Sequence, residues 1–300
     1  MDNQLLLTLF KTYLTVERRA SPHTVTAYKT DLNQFIAYLS GLIPEKIATE
    51  VTAQDLRSWV MALAKEGLTH RSINRKMAAI RIFYDFLQKR SLMVDPPTAS
   101  LKSLKGKKRL PIFLQEKELV SFLDQYVFPV NFSGLRDKLI LELLYGTGMR
   151  LAELIGLCQT AINLTDGTVK VVGKRDKERI IPFPQPLKQL ITNYLLEKER
   201  LGYHFTPQLI VTDRGKPCYP MFIYRVVKQY LAPTTRASQH SPHILRHTFA
   251  THLLDKGASL QAIKALLGHA SLSATQVYTH NSLTKLKEIF KKTHPRAEEK

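Results

Sequence analysis

The sequence predicts a mainly helical protein of two domains that contains one small antiparallel β-sheet. Three observations lead to this prediction. Apolar residues recur at helical spacing through most of the chain, β-branched residues cluster between Thr160 and Phe183, and 300 residues suggest more than one domain. The hydrophobic content of 44% is enough for a buried core in each domain.

The first hundred residues carry four helical patterns and no strand pattern, which predicts a helical bundle over residues 1–100. Ser21 and Pro22 are typical of a helix start, because the hydroxyl caps free amides and proline lacks an N–H that would need a partner. Further helices are predicted from residue 3 to about 19, from Thr52 to Gly67 and from about Ser72. The predicted inward positions include Leu6, Phe10, Leu14, Val25, Tyr28, Leu32, Phe35, Leu39, Leu56, Trp59, Val60, Leu63, Met77, Ile80, Phe83, Tyr84 and Leu87.

The charge of the chain points to a polyanionic partner. Net charge is +19, and both halves contribute: residues 1–107 hold 16 Lys and Arg against 9 Asp and Glu, and the remainder holds 28 against 16. Because neutralisation of phosphates by Lys and Arg dominates DNA binding, we expect double-stranded DNA as the partner. Polybasic membrane attachment is disfavoured, because neither an amphipathic anchor nor a lipidation signal accompanies the charge.

The polar side of the fourth helix carries Arg71, Arg75, Lys76 and Arg81. Arg71 and Arg75 lie one turn apart, so one interpretation is a row that contacts DNA phosphates. A solvated helix face is the alternative interpretation. A basic linker is predicted over residues 101–112, where five of the eight positions from Lys102 to Arg109 are basic and a glycine and a proline disfavour a helix.

Composition also bounds the location of the protein. The sequence has no apolar run of about 18 residues that would span a bilayer, and no signal-peptide cleavage pattern at its N-terminus. Cys158 and Cys218 are too few for a disulfide framework and lack metal-ligand spacing. We therefore expect a cytoplasmic protein without a bound metal or other cofactor.

Residues 113–300 are predicted as a second, mostly helical domain with one small sheet. Val169, Val171 and Val172 are separated from Ile180 and Ile181 by a polar stretch, which predicts a hairpin within a sheet of two or three short strands. The predicted helices lie near residues 115–125, 134–146, 186–200, 219–230, 242–256, 259–267 and 272–291.

Six residues of this second domain together supply the groups needed to cleave a phosphodiester by direct attack. Such a reaction needs a nucleophile, relief of charge on the non-bridging oxygens and a proton for the leaving alkoxide. Arginine suits the second task because its planar fork pairs with phosphate and stays charged. The candidate catalytic residues are Arg150, Lys174, His243, Arg246, His269 and Tyr278.

Each candidate has a role that its chemistry allows. Lys174 lies at the predicted hairpin turn, where its amine is suited to protonate the leaving 5′-oxygen. His243 and His269 are suited to bind the phosphate or to move a proton. Tyr278 is the candidate nucleophile, because neighbouring cationic side chains favour its phenolate. His247 is interpreted as a structural residue, with a direct role as the alternative.

At these residues the sequence resembles the tyrosine recombinases, and among them the Xer branch that resolves chromosome dimers. The likeness is carried by the segments 21–32, 145–154, 172–174, 243–253, 267–269 and 278–280, so it covers nearly the whole chain. It implies a helical core-binding domain and a catalytic domain that form a C-shaped clamp on DNA. It also implies that Tyr278 forms a 3′-phosphotyrosyl link, with neither ATP nor metal needed.

The resemblance further implies four protomers on two DNA sites, which exchange strands through a Holliday junction. A second Xer recombinase as partner and control by a DNA translocase are expectations of the same kind. The segment after Tyr278, with Leu283, Leu286, Ile289 and Phe290 at helical spacing, is similar to a tail donated to a neighbouring protomer. A helix packed on its own domain is the alternative.

One position departs from the family pattern: Arg175 follows Lys174 where the family usually has glycine. We favour Lys174 as the acid, with Lys177 as the alternative. The alternative functions are an integrase or transposon-type recombinase of the same family and, with the same residue set, a type IB topoisomerase. A non-catalytic DNA-binding protein of this fold is a further alternative, which the presence of all six candidate groups disfavours.

Overall fold

The structure, a computed structural model, describes residues 2–99, 101–105, 112–173, 177–235, 237, 239–268 and 280–297. The chain divides into two compact units, Met1–Arg109 and Leu110–Lys300, and the division falls within the segment predicted as a basic linker. Each unit has its own hydrophobic core. Among the described helices, none combines the length and the hydropathy that a membrane crossing requires.

The first unit is a helical bundle, as predicted. Ser21 and Thr52 cap two of its helices, since their hydroxyl groups accept hydrogen bonds from the amides three residues later. The fourth helix begins slightly before the predicted start, because the hydroxyl of Thr69 accepts from the amide of Ser72. The helices are α1 Asn3–Thr12, continued by a π-helical segment Tyr13–Glu17, α2 Pro22–Ser40, α3 Ala53–Lys65 and α4 His70–Lys89.

The polar side of α4 differs from the prediction at Lys76, which is buried rather than on the surface. The ammonium of Lys76 lies 3.2 Å from the carboxylate of Asp31 on α2, and Arg75 donates two hydrogen bonds to the same carboxylate at 2.5 and 2.9 Å. The cause is Asp31, which is only 1% exposed and requires cationic partners. Arg71 and Arg75 are both exposed, so the row of phosphate contacts stays a prediction.

Within the described residues, the second unit contains a helix at each predicted place and a three-stranded antiparallel sheet in the order β1-β2-β3. Its strands are β1 Ile162–Asn163, β2 Thr168–Val172 and β3 Glu178–Pro182, and Val169 pairs with Ile181 in the predicted hairpin. The helices are α5 Glu116–Gln125, α6 Phe132–Thr147, α7 Leu151–Gly156, α8 Gln185–Arg200, α9 Pro220–Leu231, α10 Pro242–Asp255, α11 Leu260–Leu267 and α12 His280–Thr293.

Helices α6 and α10 pack together and carry the candidate site at their ends. The spacing of Leu245, Phe249 and Leu253, four residues apart, predicts one buried stripe along α10, and all three residues are fully buried. The ring of His252 fixes this packing, because its Nδ1 lies 2.9 Å from the hydroxyl of Tyr145 on α6 and its Nε2 lies 2.9 Å from a main-chain carbonyl oxygen. The sequence Ser241-Pro242 predicts a capped start for α10, as Ser21-Pro22 does for α2. The helix does begin at Pro242, but the expected hydroxyl cap is wrong, because the Ser241 side chain makes no capping hydrogen bond.

The C-terminal segment packs on the second unit. Phe290 of α12 is buried in the core of that unit, and the ring of His294 stacks on it with centroids 4.6 Å apart. Beyond the helix, the guanidinium of Arg296 binds Asp124 and Glu142 at 2.6 Å each. Burial raises the pKa of Glu142 to about 7, although the charge of Arg296 opposes this rise. The segment that follows α12 is thus held at Arg296 by a buried ion pair.

Candidate active site

The first candidate arginine follows a sharp change in chain direction at Gly148. This glycine ends α6 in the left-handed conformation, with φ of +61°. A Cβ atom at this position would lie 2.4 Å from Cδ1 of Phe249, so only glycine lets the chain pass the aromatic ring. The sequence Gly146-Thr147-Gly148 predicts a tight turn before Arg150. Gly146 and Thr147 belong to α6, however, so the turn is confined to Gly148.

We expect Gly148→Ala to lower the free energy of unfolding by about 2 kcal/mol, because the left-handed backbone and the crowded Phe249 ring each disfavour a methyl group. Chemical denaturation measures this loss. Gly257→Ala is the control, since Gly257 also has a positive φ, of 87°, but has no atom within 4 Å of an added Cβ. Equal losses in both variants would contradict the part of this explanation that depends on the close contact with Phe249.

Arg150 is the residue directly before α7 and is held by Glu153 of that helix. Its guanidinium lies 2.8 Å from one carboxylate oxygen, and its own amide donates to the other at 2.7 Å. The Arg150 side chain remains 35% exposed, whereas that of Glu153 is 4% exposed. Burial alone would raise the pKa of Glu153, but hydrogen bonds from Arg179 and from the amide of Arg150 lower it to about 2. Glu153 is therefore ionised at neutral pH and orients Arg150.

Arg246 projects from α10 toward the same place. It donates to the main-chain oxygens of Gly148 and Leu267, both at 2.7 Å. Burial, together with the neighbouring charges of Arg150 and Arg179, lowers the pKa of Arg246 to about 10. The group stays protonated at neutral pH. Both of these acceptors are neutral carbonyls, so its positive charge remains available to a phosphate.

Three arginines converge on the C-terminal end of α11. The carbonyl oxygens of Leu266, Leu267 and Gly268 accept from Arg179 at 2.8 Å, Arg246 at 2.7 Å and Arg150 at 3.1 Å, respectively. The last carbonyls of a helix lack partners within the helix and carry partial negative charge. The arginines thus supply hydrogen-bond donors to the unpaired carbonyls at the end of α11. His269 is the next residue in the sequence.

Two residues of this cluster, Glu153 and Arg179, were not predicted as site residues. Arg179 donates to both carboxylate oxygens of Glu153, at 2.7 and 2.8 Å, and is 4% exposed. Strand alternation contains a signal for it, because Arg179 lies two positions before the buried Ile181 and must face the same side. A charged residue at an inward strand position requires a partner.

The structure brings together two of the six predicted residues, Arg150 and Arg246. His243 is exposed on α10, one turn before Arg246. Lys177 is exposed, and its carbonyl accepts from the amide of Gly173 at 2.8 Å across the end of the hairpin. The other three predicted residues, Lys174, His269 and Tyr278, lie outside the described residues, as does the predicted start of the last helix.

Two family models match the chain. The model of the phage integrase family matches residues 113–285, and that of the phage integrase N-terminal SAM-like domain matches residues 7–91. Two solved structures share the fold: a XerH site-specific recombinase bound to palindromic difH substrate and the Tn1549 transposon integrase with transposon right end DNA. Both have TM-scores of 0.72, with 22% and 16% identity; they match 91% and 94% of this chain and 81% and 98% of their own chains.

Curated relatives are more similar in sequence. Tyrosine recombinase XerC of Chlorobaculum tepidum is 36% identical over 96% of this chain and 94% of its own. XerC of Pelobacter propionicus is 39% identical over the same shares, and XerD of Halalkalibacterium halodurans is 38% identical over 94% and 95%. With both family models matched in order along the chain, the protein belongs to the phage integrase family, as a site-specific tyrosine recombinase of the Xer type.

Proposed function

We propose that the protein cuts and rejoins DNA through attack of Tyr278 on a phosphodiester. The attack forms a 3′-phosphotyrosyl link and releases a 5′-hydroxyl; the reverse attack by a 5′-hydroxyl rejoins the strand. The observation that supports this reaction most directly is the arrangement of Arg150 and Arg246 beside the end of α11. Arg150 is held by the carboxylate of Glu153 and a main-chain carbonyl, and Arg246 by two main-chain carbonyls. Such fixed donors stabilise charge that develops on the non-bridging oxygens.

The remaining candidates complete the reaction. Lys174 protonates the leaving 5′-oxygen, with Lys177 as the alternative, and His243 and His269 bind the phosphate and transfer a proton. Because the covalent link conserves the energy of the phosphodiester, the cycle requires no ATP. The arginines stabilise charge in the role that a metal ion fills in other phosphoryl-transfer enzymes, so the proposed reaction is also metal-independent.

Both units contribute to DNA binding in this proposal. Residues 1–100 act as the core-binding domain, residues 101–112 as a basic linker and residues 113–300 as the catalytic domain. The positive charge of both halves supports this division, because each half carries enough Lys and Arg to contact phosphates independently. The XerH structure that shares this fold is a DNA complex, which further supports DNA as the partner.

The proposed biological role is resolution of chromosome dimers in the cytoplasm at cell division. Four protomers would act on two DNA sites through a Holliday junction, with a second Xer recombinase as partner and a DNA translocase as regulator. The XerC and XerD names of the relatives support this role. Exchange of α12 between protomers is part of the proposal, and the packing of α12 on its own unit is the arrangement that exchange would replace.

A nicked-DNA assay tests the chemistry. Sheared genomic DNA of the source organism, nicked at random, is incubated with the protein, and covalent complexes are recovered in denaturant and sequenced. We expect the wild type to yield adducts at a defined sequence and Tyr278→Phe to yield none. Tyr219→Phe is the matched control and should retain adducts, because Tyr219 is a partly exposed tyrosine at the start of α9.

Two results would overturn the proposal: a wild type without adducts, or adducts in Tyr278→Phe. Assembly is tested separately on duplexes that carry the recovered sequence. A protein tetramer on paired sites supports a recombinase. Relaxation of supercoiled plasmid without any site requirement would indicate a topoisomerase instead.

A further inference from the structure

Among the cations of the site that the structure describes, Arg179 of β3 is the most deeply enclosed, and it has no place in the proposed reaction. Its three donor nitrogens are all used: Nε binds the carbonyl of Leu266, while Nη1 and Nη2 bind the two carboxylate oxygens of Glu153. At 4% exposure the side chain cannot reach a DNA phosphate. We propose that Arg179 is a positioning residue that sets the geometry of Arg150 and of the end of α11 at the same time.

The first connection passes through Glu153. The oxygen Oε1 of Glu153 accepts from both Arg179, at 2.7 Å, and Arg150, at 2.8 Å. Arg179 holds this carboxylate from its buried side with two parallel hydrogen bonds, one to each oxygen. The orientation of the carboxylate is therefore fixed, and with it the orientation of Arg150, which binds Oε1 from the more exposed side. Without Arg179, Arg150 would be the remaining cationic partner of the buried carboxylate among the described residues, and the carboxylate would draw it inward, away from a phosphate.

The second connection passes through α11. Arg179 binds the carbonyl of Leu266, and the next two carbonyls bind Arg246 and Arg150. The contact with α11 is close, because a Cβ atom added to Gly268 would lie 3.0 Å from Cδ of Arg179. The position of the helix end, up to Gly268, therefore depends on the Arg179 side chain.

The inference rests on the proposed cleavage by Tyr278, and single-turnover kinetics test the two independently. The probe is the nicked duplex recovered with the wild type, at saturating protein. We expect Arg179→Met to lower the rate constant of adduct formation by about 100-fold, since small displacements of reacting groups have effects of this size. The affinity for the duplex should change little, because Arg179 does not reach the surface.

Arg136→Met provides the matched control. Arg136 is also a buried, ion-paired arginine of the second unit. It lies near the start of α6, at the opposite end of that helix from Gly148, and is bound to Asp137 and Asp213. A structural defect reduces the folded fraction and hence the amplitude of adduct formation, but not the rate constant of the molecules that react. We expect this pattern, with an unchanged rate constant, for Arg136→Met.

Arg179→Lys keeps a positive charge near Glu153 but lacks the fork that reaches three acceptors. We expect its rate constant to fall by roughly tenfold, again with unchanged affinity. This variant is decisive if Arg179→Met does not fold. A wild-type rate constant in either folded variant would overturn the inference and leave the proposed function intact, whereas absence of adducts in the wild type would overturn the proposed function itself.

Discussion

Arg246→Lys should lower the single-turnover rate constant of DNA cleavage by about 100- to 1,000-fold, the range found when one fixed donor of a charged transition state is removed. Arg246 reaches the oxygens of Gly148 and Leu267 with separate nitrogens, both at 2.7 Å. A lysine ammonium carries the same charge but has no planar fork, so it cannot hold both carbonyls and also face a phosphate. The rate of adduct formation on the recovered nicked duplex measures this effect.

The matched control is Arg200→Lys on α8, which replaces an exposed arginine whose partner is Glu197. This change should leave the rate constant at the wild-type value, because an exposed ion pair such as Arg200–Glu197 contributes little to the stability of the folded protein. A wild-type rate constant in Arg246→Lys would show that charge alone, without the fork, suffices at this position. The pair of variants thus separates the geometry of Arg246 from its charge.

Arg296→Met should lower the free energy of unfolding by roughly 3–5 kcal/mol, because it leaves the buried carboxylate of Glu142 without its cation. The loss should depend on pH. Since the pKa of Glu142 in the folded protein is about 7, against an ordinary value of 4.5, the folded state binds this proton more tightly than the unfolded state. This group therefore disfavours folding increasingly as pH rises from 4.5 through 7.

Removal of Arg296 raises the pKa of Glu142 further, so the difference between variant and wild type should be larger near pH 8 than near pH 5. Denaturant unfolding at both pH values measures it. The double variant Arg296→Met with Glu142→Gln removes both charges and should recover part of the loss at the higher pH. A loss in Arg296→Met that is independent of pH would contradict the role assigned to Glu142.

The sequence was sufficient to predict the helical bundle, the hairpin and the two arginines of the site that the structure describes. These features depend on local information: Ser21 and Thr52 cap their helices, and Val169 and Ile181 alternate inward on paired strands. Arg150 was predicted from its chemistry and its neighbouring glycine. Local patterns of this kind survive in the fold because the packing of each unit agrees with them.

The features that the sequence did not predict depend on contacts between distant segments. The helical pattern predicts Lys76 on the surface, but the residue is buried because it binds Asp31, 45 positions away in the sequence. Arg179 and Glu153 are 26 positions apart and meet only after β3 and α7 have packed. Helix α7 was missed for a different reason: its six residues are too few to show a helical period.

The three consecutive contacts on α11 have a consequence for how the site tolerates substitution. All three acceptors, from Leu266 to Gly268, are main-chain oxygens, which every amino acid possesses. Replacing the side chains of Leu266 or Leu267 alters core packing but leaves these oxygens in the chain. The three arginine contacts therefore depend on the path of the backbone and not on the side chains of these residues. Only a change in that path, or replacement of an amide bond by an ester, would weaken the three acceptors selectively.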